Sequence, residues 1–264
     1  MGDRLIHSLQ LSRLGGGIGR TSHERYRPDS TATLRDTMLP AGYVPILSTT
    51  EDSMSDQHPK SYNILPGPKM GLVTPDYLEA VAAAARKHHV PLLKLTSAQR
   101  IAIGGHNPEA AAAIWQDFGQ ADGPKKPVGI HYIQACPGVQ WCKFGRQDSP
   151  VLGKKLEEAL MGMPLPAKTK VGISGCPMNC CESFVRDLGI FGKKNGWTLV
   201  FGGNGGGVPR IGDIIAHDLH DDEVVALAEK CLRYYAANAR KLERTARFME
   251  HTPLEQFKAA VLAG

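Results

Sequence analysis

The chain has 264 residues, of which 42% are hydrophobic and 22% charged, a composition typical of a globular protein with a substantial core. Its net charge of +5 is a mild excess without a run of like charge or a basic-aromatic stripe, which argues against nucleic acid as a partner. No apolar segment approaches the roughly 20 residues that span a bilayer, so the sequence predicts no membrane association and favours a cytoplasmic protein with reduced thiols.

Residues 1–57 differ from the rest of the chain. They are rich in Gly, Ser, Thr, Arg and Pro and show neither helical nor strand periodicity. Acidic residues such as Asp3 and Glu24 argue against an organelle transit peptide. We therefore predict a disordered or non-native N-terminal extension, and we offer Met54 as the hypothetical start of translation.

From Ser61 onward the pattern is regular. Thr74 and Pro75 are typical of a helix start, and Leu78 and Val81, with Ala82 and Ala85, lie at helical spacing on one face. Periodicity and turn residues predict strands at 62–65, 91–94, 100–103 and 128–135, with helices from 75 and 107. This is the order of a ferredoxin-like βαββαβ module, so the fold class is α+β. We assign 58–128 to this half-domain and 129–264 to a second, α/β domain with C-terminal helices.

Five of the six cysteines lie in two short stretches that begin the second domain. Cys136 and Cys142 are separated by five residues, and Cys176 and Cys180 by three. Two loops that each present two thiolates meet the needs of a four-iron cluster, in which each iron takes one thiolate. Zinc is a weaker alternative because its cysteine pairs are usually closer together, and ordinary core thiols are another.

The remainder of the second domain alternates helices and strands. The sequence predicts helices at 149–161, from 221, and at 241–250 and 253–262, with strands at 168–174, 189–192 and 197–201. The apolar face of the helix from 221 carries Val224, Leu227, Ala228, Cys231, Leu232 and Tyr235, so Cys231 is expected to be a core thiol. The segment GGNGGGVPR at 202–210 suits a backbone that passes close to a cofactor or an anion, and a flexible hairpin is the alternative.

At these residues the chain resembles the nitrite and sulfite reductases that contain siroheme and a 4Fe–4S cluster. The C-x5-C and C-x3-C pairs are that family's cluster signature, and further matches are KLTSAQRI at 94–101, WCKFGRQDS at 141–149, DLGIFG at 187–192 and GGN at 202–204. The resemblance implies that Cys136, Cys142, Cys176 and Cys180 bind the cluster. It also implies that Cys180 is the axial ligand of siroheme and joins the two centres.

The resemblance also implies roles for polar residues near the cofactors. Those expected to bind siroheme, together with Cys180, are Lys94, Thr96, Gln99, Arg100, Asn204 and Arg210. The candidates for binding the substrate anion or delivering protons are Lys94, Arg100, Lys143 and Arg146. The implied reaction is the six-electron reduction of sulfite or nitrite, and the choice between the two substrates is open.

One position departs from the family pattern. Two-copy sulfite reductases have an arginine before their LPGG-type turn, where this chain has Tyr62 in SYNILPG. A second subunit, in a homodimer, would complete the site, or the site would be more open and less active. No flavin or nicotinamide motif is present, so we expect an external one-electron donor, either ferredoxin-like or a reductase subunit. The alternatives to an enzyme are a non-catalytic siroheme and cluster protein for electron transfer or anion sensing, and a cluster-only or zinc protein.

Overall fold

Two β-sheets form the frame of the protein in a computed structural model that describes residues 59–67, 69–120 and 129–263. These residues belong to one compact unit, Ser53–Gly264. The extension predicted at 1–57, including the proposed start at Met54, lies outside the described residues. None of the described helices combines the length and the apolarity that a membrane crossing requires.

The first sheet has three antiparallel strands in the order β1-β3-β2. They are β1 (Tyr62–Ile64), β2 (Leu92–Leu95) and β3 (Ile101–Gly104). Helix α1 (Pro75–Lys87) begins where the Thr74 side chain accepts a hydrogen bond from the backbone N–H of Tyr77, as the sequence predicts. Helix α2 (Ala111–Asp117) follows a 3-10 turn at Pro108–Ala110. Both helices cover the sheet and build a small core around Ile103, Ile114 and Trp115.

The predicted core face of α1 is correct at Val81 and wrong at Leu78. Leu78 is 47% exposed, whereas Val81 and Ala84 are buried. Tyr77 lies beside them: its ring centroid is 6.0 Å from that of Phe118, and its hydroxyl donates to the carbonyl of Pro66 over 2.9 Å. A tyrosine that finds a polar partner buries its large ring in place of the neighbouring leucine.

The basic end of α1 is bound to the end of α2. The Asp117 carboxylate at the end of α2 accepts hydrogen bonds from Lys87 Nζ over 2.6 Å and lies 2.7 Å from His88 Nε2. These contacts lower the pKa of Asp117 through the hydrogen bonds from Lys87 and His88.

The second sheet has five strands in sequence order, the first three parallel and the last two antiparallel. They are β4 (Ile130–Ala135), β5 (Thr169–Ser174), β6 (Leu188–Gly192), β7 (Trp197–Phe201) and β8 (Asp213–Leu219). The predicted βαββαβ order of elements is confirmed, but its last strand, β4, pairs with β5 and not with the first sheet. Five of the six β4 residues are buried, as in a parallel strand covered on both faces.

One face of this sheet packs against helices. Leu152, Leu156 and Leu160 of α4 (Ser149–Leu160) are fully buried in the main core. The core also contains side chains of α5 (Asp221–Asn238), α6 (Thr245–His251) and α7 (Leu254–Leu262). All six residues predicted on the inner face of α5 are buried, namely Val224, Leu227, Ala228, Cys231, Leu232 and Tyr235. Cys231 is thus a core thiol, and burial raises its pKa.

The opposite face of the sheet is covered by the segment between β5 and β6, which carries three cysteines. A Cβ atom at Gly172 of β5 would overlap the carbonyl oxygen of Cys181, and one at Gly189 of β6 would overlap that of Ser183. Glycines at these two positions therefore let the cysteine segment lie directly on the strands. The Ser183 hydroxyl donates to the carbonyl of Ile190 over 2.7 Å and holds the segment there.

Candidate functional site

The two cysteine pairs leave the sheet at the same edge. Cys136 directly follows β4, Cys176 lies two residues beyond β5, and these strands are parallel neighbours. The backbone N–H of Cys136 donates to the carbonyl of Ile173 over 3.1 Å, which extends the ladder by one residue. The carboxyl ends of parallel strands are a common position for ligand sites, and this order of strands brings the two loops together.

The first cysteine loop contains a short helix, α3 (Gly138–Trp141), that the sequence analysis missed. Cys142 ends this helix, and its N–H donates to the carbonyl of Gly138 over 3.0 Å. The loop is joined to the second one because the N–H groups of Arg146 and Gln147 both donate to the carbonyl of Gly175, over 2.8 and 3.0 Å. A Cβ at Gly175 would lie 2.8 Å from the carbonyl oxygen of Gln147, so the two backbones are in close contact.

The second loop directs its two adjacent cysteines to different environments. Cys180 is exposed, whereas Cys181 is 1% exposed and its N–H donates to Ser174 Oγ over 3.0 Å. Asn179, at a φ of +57°, forms the turn before them, and its side-chain oxygen accepts a hydrogen bond from the N–H of Ser183 over 2.8 Å. This turn lets the two neighbouring side chains point apart.

The thiols of the two cysteine loops interact electrostatically. The pKa of Cys180 is raised by partial burial and by the negative charge of Cys136, Cys176 and Cys142, so these sulfurs lie within range of one another. The pKa of Cys181 is raised to about 12, first by burial and then by the charges of Cys136 and Cys180, which keeps this thiol protonated at neutral pH. The structure therefore brings together the four cysteines that the spacing selects and separates the fifth from them by its environment.

The donor set fits an iron–sulfur cluster. Cys136 Sγ accepts a hydrogen bond from the N–H of Gly175 over 3.0 Å and lies 3.1 Å from Ser149 Oγ, and such bonds stabilise cluster thiolates. Within the described residues, no three His, Cys, Asp or Glu side chains surround a single metal-ion position. A cubane cluster makes no such demand, because each of its thiolates binds a different iron.

Gln99 and Thr96 shape the turn between β2 and β3 and attach it to β4. The Gln99 amide donates to the carbonyl of Ala135 over 2.8 Å and accepts from its N–H over 3.0 Å. Thr96 Oγ1 donates to the carbonyl of Arg100 over 2.9 Å and accepts from its N–H over 3.1 Å. Both side chains thus bind backbone groups of the protein, and their predicted contact with siroheme stays a prediction.

An apolar cavity of about 520 Å³ adjoins this turn and the first cysteine. It is lined by Met70, Gly71, Val73, Leu78, Leu95, Thr96, Gln99, Ile101, Ala135 and Pro137. Leu95 is 81% exposed, and Ala135 and Pro137 flank Cys136 in the sequence. Its volume lies in the range of ligand sites, its lining is mostly apolar, and the exposed side chain of Leu78 borders it.

Arg100 lines a second cavity, of about 370 Å³, with His131 and Tyr132. Its Nε atom is buried and has no hydrogen-bond partner among the described residues, and burial lowers its pKa. Its guanidinium carbon lies 5.7 Å from the centroid of the Tyr132 ring. A buried cationic atom without a partner is costly, so this position favours an anionic group.

A cluster of cations around Tyr132 was not found from the sequence. Lys170 and Arg186 lie 6.0 and 5.8 Å from the centroid of the Tyr132 ring, and Arg186 donates to its hydroxyl over 2.9 Å. The pKa of His131 reflects the positive charge around it. It is lowered to about 4, first by burial and then by the charges of Arg100, Lys168, Lys170 and Arg244. The alternation of Lys168 and Lys170 at the start of β5 is the one sequence signal for this cluster.

The other predicted residues fall into two groups. Lys94, Lys143 and Arg146 are exposed and form no salt bridge in the part of the chain that the structure describes. Asn204 and Arg210 instead shape the glycine-rich loop, where their backbones exchange two hydrogen bonds of 2.9 Å. Arg210 also pairs with Asp213 over 2.6 Å, so its charge is already compensated. Tyr62 is 53% exposed on β1.

Comparison with known proteins identifies the family. Residues 129–263 match the family model described as the nitrite and sulphite reductase 4Fe-4S domain, and residues 56–121 match that of the nitrite/sulfite reductase ferredoxin-like half domain. An assimilatory-type sulfite reductase of Nitratidesulfovibrio vulgaris is 46% identical over 202 residues, which are 76% of this chain and 93% of that protein. A nitrite reductase [NAD(P)H] of Bacillus subtilis is 35% identical over 76% of this chain and 25% of its own length.

Solved structures show the same fold. The chain superposes on a dissimilatory sulfite reductase I with a TM-score of 0.66 at 13% identity, covering 77% of this chain and 69% of that one. It superposes on the NirA protein of Mycobacterium tuberculosis with a TM-score of 0.60 at 18% identity, covering 76% and 42%. From its two family matches and its relatives, the chain belongs to the nitrite and sulfite reductase family, whose model includes a 4Fe–4S domain.

Proposed function

We propose that the protein reduces sulfite to sulfide, with reduction of nitrite to ammonia as the alternative. The observation that carries this proposal is the apolar cavity beside Cys136, which places room for a large ring next to the four interacting thiols. Membership of the family supports siroheme and a 4Fe–4S cluster as the cofactors. The enzyme is accordingly an oxidoreductase.

The cysteines have separate tasks in this proposal. Cys136, Cys142 and Cys176 would each hold one cluster iron, and Cys180, the exposed thiol, would hold the fourth iron and also serve as the ligand for siroheme. When bound, the two cofactors would relay the electrons of the external donor and provide an iron for the oxyanion. The N–H of Gly175 stabilises the thiolate of Cys136. The hydrogen bond from the Gln99 amide to the carbonyl of Ala135 fixes the backbone directly before Cys136.

The cations supply charge and protons. Reduction of sulfite consumes six electrons and six protons and releases sulfide and three waters, while nitrite consumes six electrons and eight protons to give ammonium and two waters. Arg100 and Lys170 suit the carboxylates of siroheme or the substrate anion, since both lie within about 6 Å of the Tyr132 ring centroid. Arg100 also lines the cavity of about 370 Å³, in which Glu157 is the one acidic lining residue, and its Nε has no hydrogen-bond partner among the described residues. Lys94, Lys143 and Arg146 remain candidates for binding the siroheme carboxylates or the substrate anion.

We propose sulfite rather than nitrite as the substrate because the similarity to the sulfite reductase relative extends over more of that relative's length. The sulfite reductase relative is matched over 93% of its length, whereas the nitrite reductase relatives of Bacillus subtilis and Escherichia coli are matched over 25% and 27% of theirs. The names of the nitrite reductase large subunits suggest a partner subunit as donor. We propose an external one-electron donor, a reducing compartment such as the cytoplasm, and a homodimer if one copy cannot complete the anion site.

The presence of Tyr62 where two-copy sulfite reductases have an arginine favours a second candidate, a protein that binds both cofactors without turnover. The deciding experiment is anaerobic purification followed by a visible spectrum, iron and sulfide analysis, and turnover of sulfite and nitrite with reduced methyl viologen. We expect siroheme bands, four irons from the cluster and sulfide production. Siroheme bands without turnover of either anion would select the second candidate, and an absence of siroheme bands would reject both. The Cys231→Ser variant, altered far from the proposed site, is the matched control.

A further inference from the structure

The first cysteine loop exposes large apolar side chains to solvent. Trp141 is 84% exposed, Phe144 55% and Val139 45%. The other two tryptophans of the chain, Trp115 and Trp197, are 2% and 1% exposed, so Trp141 differs from both. A cluster of exposed aromatic residues on a rigid loop is typical of an interaction surface rather than of a free surface. We call Val139, Trp141 and Phe144 the loop patch.

The surroundings of the loop patch are basic. No acidic residue lies between Gly129 and Gln147, and Asp148 uses its carboxylate to accept the N–H of Val151 at the start of α4. Lys143 and Arg146 are exposed in the same loop, with Lys143 Nζ 4.9 Å from the centroid of the Phe144 ring.

A second basic element borders the same loop. Gln147 accepts the N–H of Val139 at its carbonyl over 3.0 Å, and its side chain donates to the carbonyl of Lys193 over 2.8 Å. These bonds place the turn that carries Lys193 and Lys194 beside the patch, and Lys194 is exposed. The apolar centre therefore has a positively charged border.

The loop patch adjoins the cluster ligands but not the proposed siroheme site. Trp141 directly precedes Cys142, whereas neither Trp141 nor Phe144 lines the apolar cavity or the cavity of Arg100. A molecule bound on the patch would therefore approach the cluster from the side of Cys142.

We propose that the loop patch binds the electron donor, a small acidic iron–sulfur carrier protein. This inference rests on the proposed function, because it assumes a cluster held by Cys142. In each encounter the carrier loses one electron and the cluster gains one, and no bond forms or breaks. Acidic groups on the carrier would be steered by the basic border, and the aromatic centre would supply the contact that excludes water. A second copy of this chain would bring like charges together at the border and is disfavoured.

The test measures reduction of the cluster, not turnover. Stopped-flow spectroscopy follows the anaerobic oxidised protein after mixing with reduced plant-type 2Fe–2S ferredoxin, an acidic carrier, and separately with reduced methyl viologen. We expect Trp141→Ser to slow reduction by ferredoxin about tenfold and Lys194→Glu to slow it by a smaller factor and weaken its salt dependence. Reduction by methyl viologen should be unchanged in both variants. Matched controls are Leu242→Ser, at an exposed apolar residue elsewhere, and Lys241→Glu.

Three results would overturn the inference. These are equal ferredoxin rates in wild type and Trp141→Ser, loss of siroheme or iron from Trp141→Ser, and a wild-type dimer that this variant converts to monomers. Loss of siroheme or iron would assign the patch to the cofactor site, and conversion of a dimer to monomers would assign it to the interface with a second copy. Fast reduction by ferredoxin without sulfite or nitrite turnover would reject the proposed function and leave the docking surface standing, since the measured rate does not depend on catalysis.

Discussion

Cys180 and Cys181 are neighbours in opposite environments. Cys180 is exposed among three other thiols, while burial raises the pKa of Cys181 to about 12. We expect Cys180→Ser to remove the magnetic coupling between cluster and siroheme and to abolish turnover, because a hard alkoxide replaces a soft thiolate poorly. Cys181→Ser should keep both cofactors. Electron paramagnetic resonance with iron and siroheme analysis measures this, and coupling that survives in the Cys180 variant would assign the bridge to another residue.

His131 gives a pH dependence whose sign follows from its environment. Burial and the surrounding cations lower its pKa to about 4, whereas the unfolded chain binds this proton near the ordinary value of 6.5. The unfolded state therefore holds more protons between these values, so stability falls as the pH falls from about 6.5 to about 4.

His131→Asn removes this titration. Urea unfolding at several pH values should show a smaller loss of stability on acidification for His131→Asn than for wild type. The matched control is His89→Asn, because His89 is exposed, has a φ of +50° that asparagine tolerates, and should leave the wild-type dependence unchanged. Parallel curves for wild type and His131→Asn would contradict the prediction.

Among the elements, β5 supports the cysteine segment only because residue 172 lacks a side chain. Gly172→Ala would push its Cβ into the carbonyl of Cys181 and displace the loop that carries Cys176 and Cys180. We expect lower cluster occupancy and a loss of stability of about 1–3 kcal/mol, as for other overpacked positions. Gly207→Ala is the matched control, because nothing lies within 4 Å of a Cβ at that glycine. Iron analysis and urea unfolding measure both effects, and wild-type values for Gly172→Ala would show that the loop adapts.

Local signals predicted some elements better than others. The long amphipathic helix α5 has its inner face as predicted, because six apolar residues at helical spacing can face the core together in only one orientation of the helix. Strand β8 was missed, since only Ile215 of its seven residues is buried and its polar residues resemble a loop. Helix α3 was missed because four residues are too few for a periodic pattern.

For the whole molecule, the two-point bond between Gln99 and Ala135 connects the first module to the cluster edge. We expect Gln99→Met, which keeps the length but not the amide, to destabilise the protein by about 2–4 kcal/mol, because two partly buried backbone groups lose their partners. Cluster content should also fall, since the backbone before Cys136 is released. The matched control is Ser97→Ala in the same turn, where the side chain is exposed. Unfolding curves and iron analysis measure the two effects. A Gln99→Met variant with the stability and iron content of wild type would show that the two hydrogen bonds to Ala135 contribute nothing.

The sequence alone determined what depends on short stretches of chain. The spacing of Cys136, Cys142, Cys176 and Cys180 selected four thiols that the structure brings within electrostatic range of one another. Caps and periodicity located most helices and strands. Family membership also followed from short motifs, and the comparisons confirm it.

Only the tertiary structure decided how distant residues meet. It assigned β4 to the second sheet, since strand pairing depends on partners about 40 residues away, and it surrounded Tyr132 with Arg100, Lys170 and Arg186, which come from three separate segments. It also buried Cys181 while exposing Cys180, because that choice rests on the packing of the loop against Gly172 and not on the order of the two residues. Burial and charge fields are sums over neighbours in space, and adjacency in sequence does not contain them.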